Sequence, residues 1–511
     1  MDYISTRGDR ERISGAQAIV RGLAPDRGLY VPTSFPDIDV SADFDAAALA
    51  GGGYRGIAKL VLAAFLPDFT AQEIEACVDG AYDRKFDAPD IAPLFSITKD
   101  DAAGRPADAH VLELWHGPTA AFKDMALTIL PYLMKTAARK TGEDKKIVIL
   151  TATSGDTGKA ALAGFADVPG TEIFVYYPKD GVSAVQERQM VTQEGGNVHV
   201  FGIRGNFDDA QTAVKNVSGD AAYGAALAAR GVRLSSANSI NIGRLVPQVA
   251  YYVSAWARLA ASGAVGPGEP VNICVPTGNF GNILAAWYAK QIGVPVGRLI
   301  CASNENKVLT DFLRSGVYDR RRDFVLTDSP SMDILISSNL ERLLWHLSGG
   351  VAAGADGDVR RMMGGLDADG YYDAGEAVRQ GLEDSRFYGG FADMERAHGA
   401  LASLWQGQRY LIDTHTAVAC AVMRGYWKET GDRTPVVIAS TASPYKFAGS
   451  VARVLGLAEA EDEFAAVRQL FEYTGVAVPE GLRDLESKPV LHEQVIEREG
   501  VRATIDAALA G

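Results

Sequence analysis

Cysteine is scarce in this chain. Four occur in 511 residues, Cys77, Cys274, Cys301 and Cys420, widely spaced and with no CxxC pair. That excludes a disulfide-stapled scaffold and points to a reducing compartment. Histidine is nearly as sparse. The seven histidines form no HExxH-like pair, so no catalytic metal is expected. No run of about 18 apolar residues occurs, which argues against a transmembrane helix. The opening residues, MDYISTRGDRER, lack the apolar core of a secretory signal, and a cytoplasmic location is the expectation. Positive charge is also short. Fifty Lys and Arg against 64 Asp and Glu leave a net charge of -14, unlike the basic face that nucleic acid requires. An anionic small molecule is still allowed, because a positive pocket can sit inside an acidic shell. Internal repeats and low-complexity segments are absent.

What is present reads as globular: 47% hydrophobic and 22% charged residues, in a chain long enough for two or three domains. Residues 1 to about 95 read as a separate N-terminal unit, with an extended piece at Gly28–Pro32 and helical patterns at Tyr54–Phe65 and Ala71–Ala81. The small, turn-forming stretch Ala102–Ala109 reads as a loop or hairpin tip. From about Val111 the pattern changes to strands alternating with helices. Strand-like runs at 147–150, 172–177, 198–203, 271–275 and 299–302 are followed by helical windows at 159–165, 183–192, 207–217, 282–292 and 309–313, and a late strand falls at 435–439. Such alternation indicates βαβ units and parallel sheets buried on both faces. Gly349–Asp384, rich in glycine and acid, reads as a surface connection or insertion. Residues 450–511 read as helical and polar, with a structural role only.

Two strand-to-helix loops carry chemistry. Thr151–Gly158 and Pro276–Asn282 both place small polar residues and glycines before a helix N-terminus, where N–H groups and the helix dipole favour an anion. Glycine there lets backbone approach a phosphate closely. Nucleotide motifs fit poorly. Gly158-Lys159 suits a Walker loop, but Thr153 stands where its first glycine belongs and Ala160 follows the lysine; no GxGxxG opens a βαβ unit. A third segment, Glu113–Asp124, sets Lys123 among Ala121, Phe122 and Met125, an apolar setting that favours a neutral, nucleophilic amine. Taken singly, each loop is also consistent with an ordinary βα turn and Lys123 with a solvated surface lysine.

Taken in order, HGPTAAFKD (116–124), SGDTG (154–158) and GNFGN (278–282) resemble fold-type II pyridoxal-phosphate (PLP) enzymes, and the first segment resembles the threonine synthase family. LAPDRGLYVP (23–32), NSIN (238–241) with Arg244, SMDI (331–334) with SSNLER (337–342), and STASPYKF (440–447) are similar to further blocks of that family, in its longer fungal and enterobacterial branch. The resemblance implies an α/β fold with two parallel-sheet domains and an N-terminal extension. It divides the chain into 1–95, then 96–265 with the lysine segment and the smaller domain, then 266–511 with the larger PLP-binding domain and C-terminal helices. It implies that Lys123 forms the Schiff base with PLP, and that Gly278, Asn279, Phe280, Gly281 and Asn282 hold the cofactor phosphate. It makes Thr441 the partner of the pyridine nitrogen and places Asp156 near the ring oxygen, where sister enzymes carry an asparagine. An ionised aspartate cannot donate, so Asp156 would have to be protonated or point elsewhere. Ser154, Thr157, Ser239, Asn241, Arg244, His116 and Lys446 are the residues assigned to substrate, with Arg244 first for a phosphate. His415 is a further histidine whose role stays open. Ser443 replaces the family histidine.

The implied reaction converts O-phospho-L-homoserine and water to L-threonine and phosphate, in a monomer or homodimer. Three alternatives are a threonine or serine dehydratase, which has no need of Arg244, a PLP-binding regulatory homologue with little turnover, and a nucleotide-binding protein.

Overall fold

The computed structural model describes residues 1–36, 38, 46–82, 84–97, 109–153, 155–266 and 268–510. Most of the Ala102–Ala109 stretch and Ser154 lie outside the described residues. In chain order the strands are β1 (Tyr3–Ser5), β2 (Tyr30–Pro32), β3 (Leu94–Ile97), β4 (Ala109–Glu113), β5 (Lys146–Ala152), β6 (Thr171–Pro178), β7 (Val198–Ile203), β8 (Val232–Ser235), β9 (Val271–Pro276), β10 (Val296–Ser303), β11 (Val317–Asp319), β12 (Tyr371–Asp373), β13 (Phe387–Phe391), β14 (Val436–Ser440) and β15 (Val495–Ile496). Two sheets dominate. One runs β13-β10-β9-β14-β4-β3 and the other β15-β7-β6-β5-β8. Every pairing in them is parallel except β3 with β4. Their strands are apolar without alternation because helices cover both faces: all six residues of β9 and all five of β14 are buried. The chain is thus α/β with two parallel sheets. Among the described residues, no helix is long and apolar enough to cross a membrane.

The expected strands and helices from Ile147 to Leu313 are all present, with ends shifted by a few residues. The contiguous division at residues 95 and 265 needs correction, because the sheets cross it twice. β4 lies in the larger sheet, hydrogen-bonded to β14, although it precedes the smaller sheet in the chain. The C-terminal segment then returns to the smaller sheet, where β15 pairs with β7 and the helix Val501–Ala508 buries Val501 and Ile505 beneath it. Gly349–Asp384 is also no loose connection. It forms the helices Ala355–Asp369 and Glu376–Asp384 with β12 between them, paired antiparallel to β11. Val359, Met362 and Leu366 make its buried stripe, a helical spacing masked by glycine. One of those glycines is required: a Cβ on Gly365 would meet the Tyr371 carbonyl oxygen at 2.9 Å.

The helix Ile242–Ala261 is buried on nearly all sides and packs against the N-terminal helix Ala46–Phe65 and the helix Gly281–Gln291. Polar ties complete the docking of the N-terminal unit. Thr6 donates to Glu341 at 2.6 Å, and Arg7 forks onto the same carboxylate at 2.8 and 2.9 Å. Arg342, fully buried, donates to the carbonyls of Tyr30 and Ile240 and to Asn339. Asn241, expected at the substrate, instead ties this unit to the rest. Its Nδ2 donates to the Ile19 carbonyl at 3.0 Å and its Oδ1 accepts the Gly243 N–H at 2.8 Å, capping the long helix.

His116 is a second correction. Its Nδ1 lies 2.6 Å from Asp87 Oδ1 and its Nε2 2.8 Å from Glu113 Oε2, so both ring nitrogens are taken by carboxylates and neither is left for a substrate. Glu113 also accepts the Tyr410 hydroxyl at 2.5 Å. Burial pulls the imidazole pKa down, but the hydrogen bonds to Asp87 and Glu113 outweigh it and raise the pKa to about 9. Because the folded value lies above the ordinary one, His116 contributes stability that is fully present below about pH 6.5 and lost as the pH rises through about 9. Urea unfolding across this window should therefore show stability declining with pH, by no more than about 1.4 kcal/mol per pH unit from this one group. His116→Gln should be less stable at pH 6.5 and show a flatter decline; an unchanged slope would refute the assignment.

Candidate functional site

β14 lies between β4 and β9, and all three run parallel. The segments leaving their C-terminal ends therefore emerge side by side, where ligands bind in sheets of this kind. After β14, the backbone stays paired with the lysine segment. The Phe122 N–H donates to the Thr441 carbonyl at 2.8 Å, and the Ser443 N–H to the Ala120 carbonyl at 3.0 Å. Ser443 also caps the short 3-10 turn Pro444–Phe447 by accepting the Tyr445 N–H. This zipper holds Lys123, at the start of a short helix, next to Thr441 and Lys446. Asp124 is buried beneath and accepts from the Thr119 N–H at 2.8 Å and hydroxyl at 2.6 Å. Burial raises its pKa to about 6. Gly117 has to be glycine, since a Cβ would meet the Asp124 side chain at 2.4 Å.

From the smaller sheet, the loop after β5 brings Asp156 into the same space. Gly155 turns the chain with φ 136°, and Thr153 Oγ1 accepts the N–H groups of Gly155 and Gly158. Asp156 opens the helix Asp156–Phe165, with Thr157 half-buried beside it. The Asp156 Oδ2 lies 3.7 Å from Lys123 Nζ, and its Oδ1 lies 2.7 Å from Lys446 Nζ. Gln186 also donates to Oδ1 at 3.1 Å. Burial opposes ionisation of Asp156, but Lys446 and then Lys123 hold its pKa well below the usual carboxylate range. Of the two alternatives raised from the sequence, the geometry favours an ionised Asp156 that points to the two lysine amines. Lys123 itself is pulled below the usual lysine range, first by burial and then by Lys446 and Arg244, against the raising effect of Asp156.

Lys446 differs from expectation. Its side chain is fully buried, and besides Asp156 its Nζ donates to the Thr119 carbonyl at 3.1 Å and to Gln189 at 3.4 Å. Its donors are spent on the protein, so it is not free to bind a substrate phosphate. Arg244 has the opposite character. It is 3% exposed, donates from Nη1 to the Ala237 carbonyl at 3.0 Å, and has an Nε without a partner among the described residues. Burial lowers its pKa to about 10. A buried guanidinium with no carboxylate partner among the described residues is costly unless an anion joins it. Ser239 is half-buried, in the turn that leads into the helix carrying Arg244.

The loop after β9 is a second anion cradle. Phe280 takes the left-handed conformation, φ 62°, and buries its ring as the helix Gly281–Gln291 begins. No acceptor takes the N–H groups of Gly278, Asn279, Phe280, Gly281 and Asn282 among the described residues. Asn282 gives its Oδ1 to the hydroxyls of Tyr251 and Tyr252, leaving Nδ2 buried and unpartnered. The loop is braced from outside. Asn339 donates twice to the Asn279 carbonyl, Ser337 donates to the Gly278 carbonyl at 2.8 Å, and the Ser331 carbonyl oxygen would lie 2.3 Å from a Cβ on Gly278. Sequence reasoning left out the device behind Ser331. His415 Nε2 accepts the Ser331 N–H at 3.1 Å while its Nδ1 donates to Asp413 at 2.8 Å, which fixes a neutral imidazole in a structural role. The DTHT spacing, Asp two residues before His at a helix start, was the available signal.

Free N–H groups at a helix N-terminus, an amine depressed by burial and a polar wall at Thr441 fit a cofactor carrying one phosphate and one aldehyde. The comparisons with known proteins agree. Family models match residues 2–82, described as Threonine synthase N terminus, residues 100–442, described as Pyridoxal-phosphate dependent enzyme, and residues 416–505, described as Threonine synthase, C-terminal. Threonine synthase-like 1 from Homo sapiens is 36% identical over 495 residues, 94% of this chain, and the chain spans 62% of that protein's length. Threonine synthase from Eremothecium gossypii is 35% identical over 477 residues, 89% of each protein. The crystal structure of PLP-bound threonine synthase from Brucella melitensis superposes with a TM-score of 0.85 at 35% identity, covering 100% of this chain and 99% of that one. With fold, cradle and buried lysine on one side and these relatives on the other, the chain belongs to the threonine synthase family of pyridoxal-phosphate-dependent enzymes.

Proposed function

We propose that this protein is a threonine synthase, converting O-phospho-L-homoserine and water to L-threonine and phosphate. The observation that carries the reading is Arg244, a buried guanidinium without a carboxylate partner among the described residues, whose Nε is unpartnered there and whose charge helps to lower the Lys123 pKa. A substrate bearing a phosphate supplies the missing negative charge; a dehydratase substrate does not.

In this reading Lys123 carries the cofactor. The N–H groups of Gly278–Asn282 and the Asn282 Nδ2 would hold its phosphate, and Thr441 would meet its ring nitrogen. When bound, PLP would supply an aldehyde for the substrate amine and a ring that spreads the negative charge developing along the substrate carbon chain. The neutral Lys123 amine takes the proton from Cα and then serves at Cβ. Its depressed pKa suits that work, because an amine must be neutral to accept a proton near pH 7. Arg244 forks onto the substrate phosphate, with Ser239 beside it, and stabilises the charge that builds as phosphate leaves Cγ. Thr157 and the N–H groups opening the helix Asp156–Phe165 receive the substrate carboxylate. The proton taken from Cβ is matched by one delivered to Cγ, which makes the methyl group; water then adds at Cβ, its hydroxyl staying on that carbon, and a proton returned by Lys123 to Cα completes threonine. Residues 1–95 act as a brace for this site. The setting is cytoplasmic, consistent with four buried cysteines that form no disulfide among the described residues, and the working unit is a monomer or homodimer.

Three outcomes are expected. Threonine should form from O-phospho-L-homoserine with PLP present, and Lys123→Ala should neither make threonine nor retain the cofactor covalently. A wild-type protein that binds PLP but releases no phosphate would sink the proposal. Arg244→Met should raise KM for O-phospho-L-homoserine on the order of 10- to 100-fold, the loss of one or two charge-assisted hydrogen bonds, with a smaller effect on PLP retention. Gly278→Ala should push the loop off Ser331 at about 1–3 kcal/mol, weakening PLP binding measured by equilibrium dialysis while Arg244→Met leaves it nearly unchanged.

A further inference from the structure

We propose that Lys446 is a positioning residue for Lys123, acting through Asp156: it is the anchored amine of a Lys446–Asp156–Lys123 triad and, by engaging the shared carboxylate, leaves the Lys123 amine free to lose its proton. The inference rests on the reading of Lys123 as the lysine that takes the cofactor.

The geometry is unequal in the way this role needs. Asp156 is 2.7 Å from Lys446 and 3.7 Å from Lys123. Two further acceptors, the Thr119 carbonyl and Gln189 Oε1, anchor Lys446 independently of Asp156, and Gln186 anchors Asp156 independently of either lysine. Lys446 is therefore held in place whatever Lys123 does. It also joins the two sheets: Lys446 follows β14 in the larger, and Asp156 follows β5 in the smaller. The charged groups around Lys123 are Asp156 from the smaller sheet's first helix, Lys446 from the turn after β14 and Arg244 from the long helix. Asp124, next in sequence, faces Lys446 and Lys159. With Lys446 removed, Lys123 would lose a neighbouring positive charge and gain sole use of a carboxylate. Both changes stabilise the ammonium and remove the nucleophile at neutral pH.

The test measures uptake of PLP onto Lys123 as a function of pH. In that step the neutral Nζ attacks the aldehyde carbon, a C=N bond forms and the aldehyde oxygen leaves as water. Full-length protein stripped of cofactor is mixed with PLP, the adduct is trapped with borohydride, and the modified lysine is identified by peptide mapping. Lys446→Met should move the pH midpoint of uptake up by at least one unit, about tenfold slower at neutral pH, and Lys446→Arg should restore the wild-type midpoint. Asp156→Asn, which keeps the side chain's shape and removes its charge, should move the midpoint down. In the Asp156→Asn background, adding Lys446→Met should produce less than half of its single-variant shift. A wild-type midpoint in Lys446→Met or in Asp156→Asn, with the adduct mapped to Lys123, overturns the role of Lys446 and leaves the cofactor lysine standing. An adduct mapped to any other lysine in the wild type overturns both.

Discussion

Strand β14 enters the larger sheet between β4 and β9, and its hydrogen bonds on both sides determine which loops can share a site. One neighbour ends in the lysine segment and the other in the Gly278–Asn282 cradle. The pairing continues past the sheet, from Phe122 to Thr441 and from Ser443 to Ala120, so the position of Lys123 is set by main-chain bonds rather than by its own side chain. Main-chain ladders are stiff, and a group carried on one is placed more reproducibly than a group on an unpaired loop.

The electrostatics of the site follow from burial. Lys446 and Arg244 are buried basic groups and Lys123 is nearly so; Asp156 lies between the two lysines, and Arg244 has no carboxylate partner among the described residues. Such an excess is expensive in a low-dielectric interior unless anions join it. Lys446 is satisfied by protein groups, Lys123 relieves its share by becoming neutral, and Arg244 keeps unspent donors for a phosphate. In the proposed reading, a phosphate at Arg244 would offset that excess.

The N-terminal unit contributes no group to this chemistry, but it holds the elements that do. Arg342 links β2, the segment before Arg244 and the Asn339 brace of the cradle through three hydrogen bonds from one fully buried side chain. Asn241 fastens the first turn of the Arg244 helix to Ile19. Both residues read from the sequence as parts of substrate or family blocks, and both turn out to act by holding backbone. Buried carbonyls need donors, and a buried side chain with several donors meets that need over long distances.

Local pattern was enough for much of the architecture. Period, strand length and loop chemistry located the βα units from Ile147 to Leu313, because buried parallel strands are apolar without alternation and the anion loops need glycine and a helix start. The two anion loops stood out as candidates in the same way, whereas Lys123 and Arg244 stood out through the resemblance of their segments to the threonine synthase family. Pairing partners were not legible. Nothing local tells that β4 leaves its neighbours in sequence to sit against β14, or that β15 returns to β7, since a strand's apolar face does not name the strand it meets. Charge partners were not legible either. Lys446 lies 327 residues from the Thr119 carbonyl it binds, and His116 is tied to Asp87 and Glu113 rather than facing a substrate. The sequence by itself determined which residues have reactive chemistry. The tertiary structure decided which of them are already occupied by the protein, because Coulomb and hydrogen-bond partners are set by distance in space and burial, neither of which is carried by order along the chain.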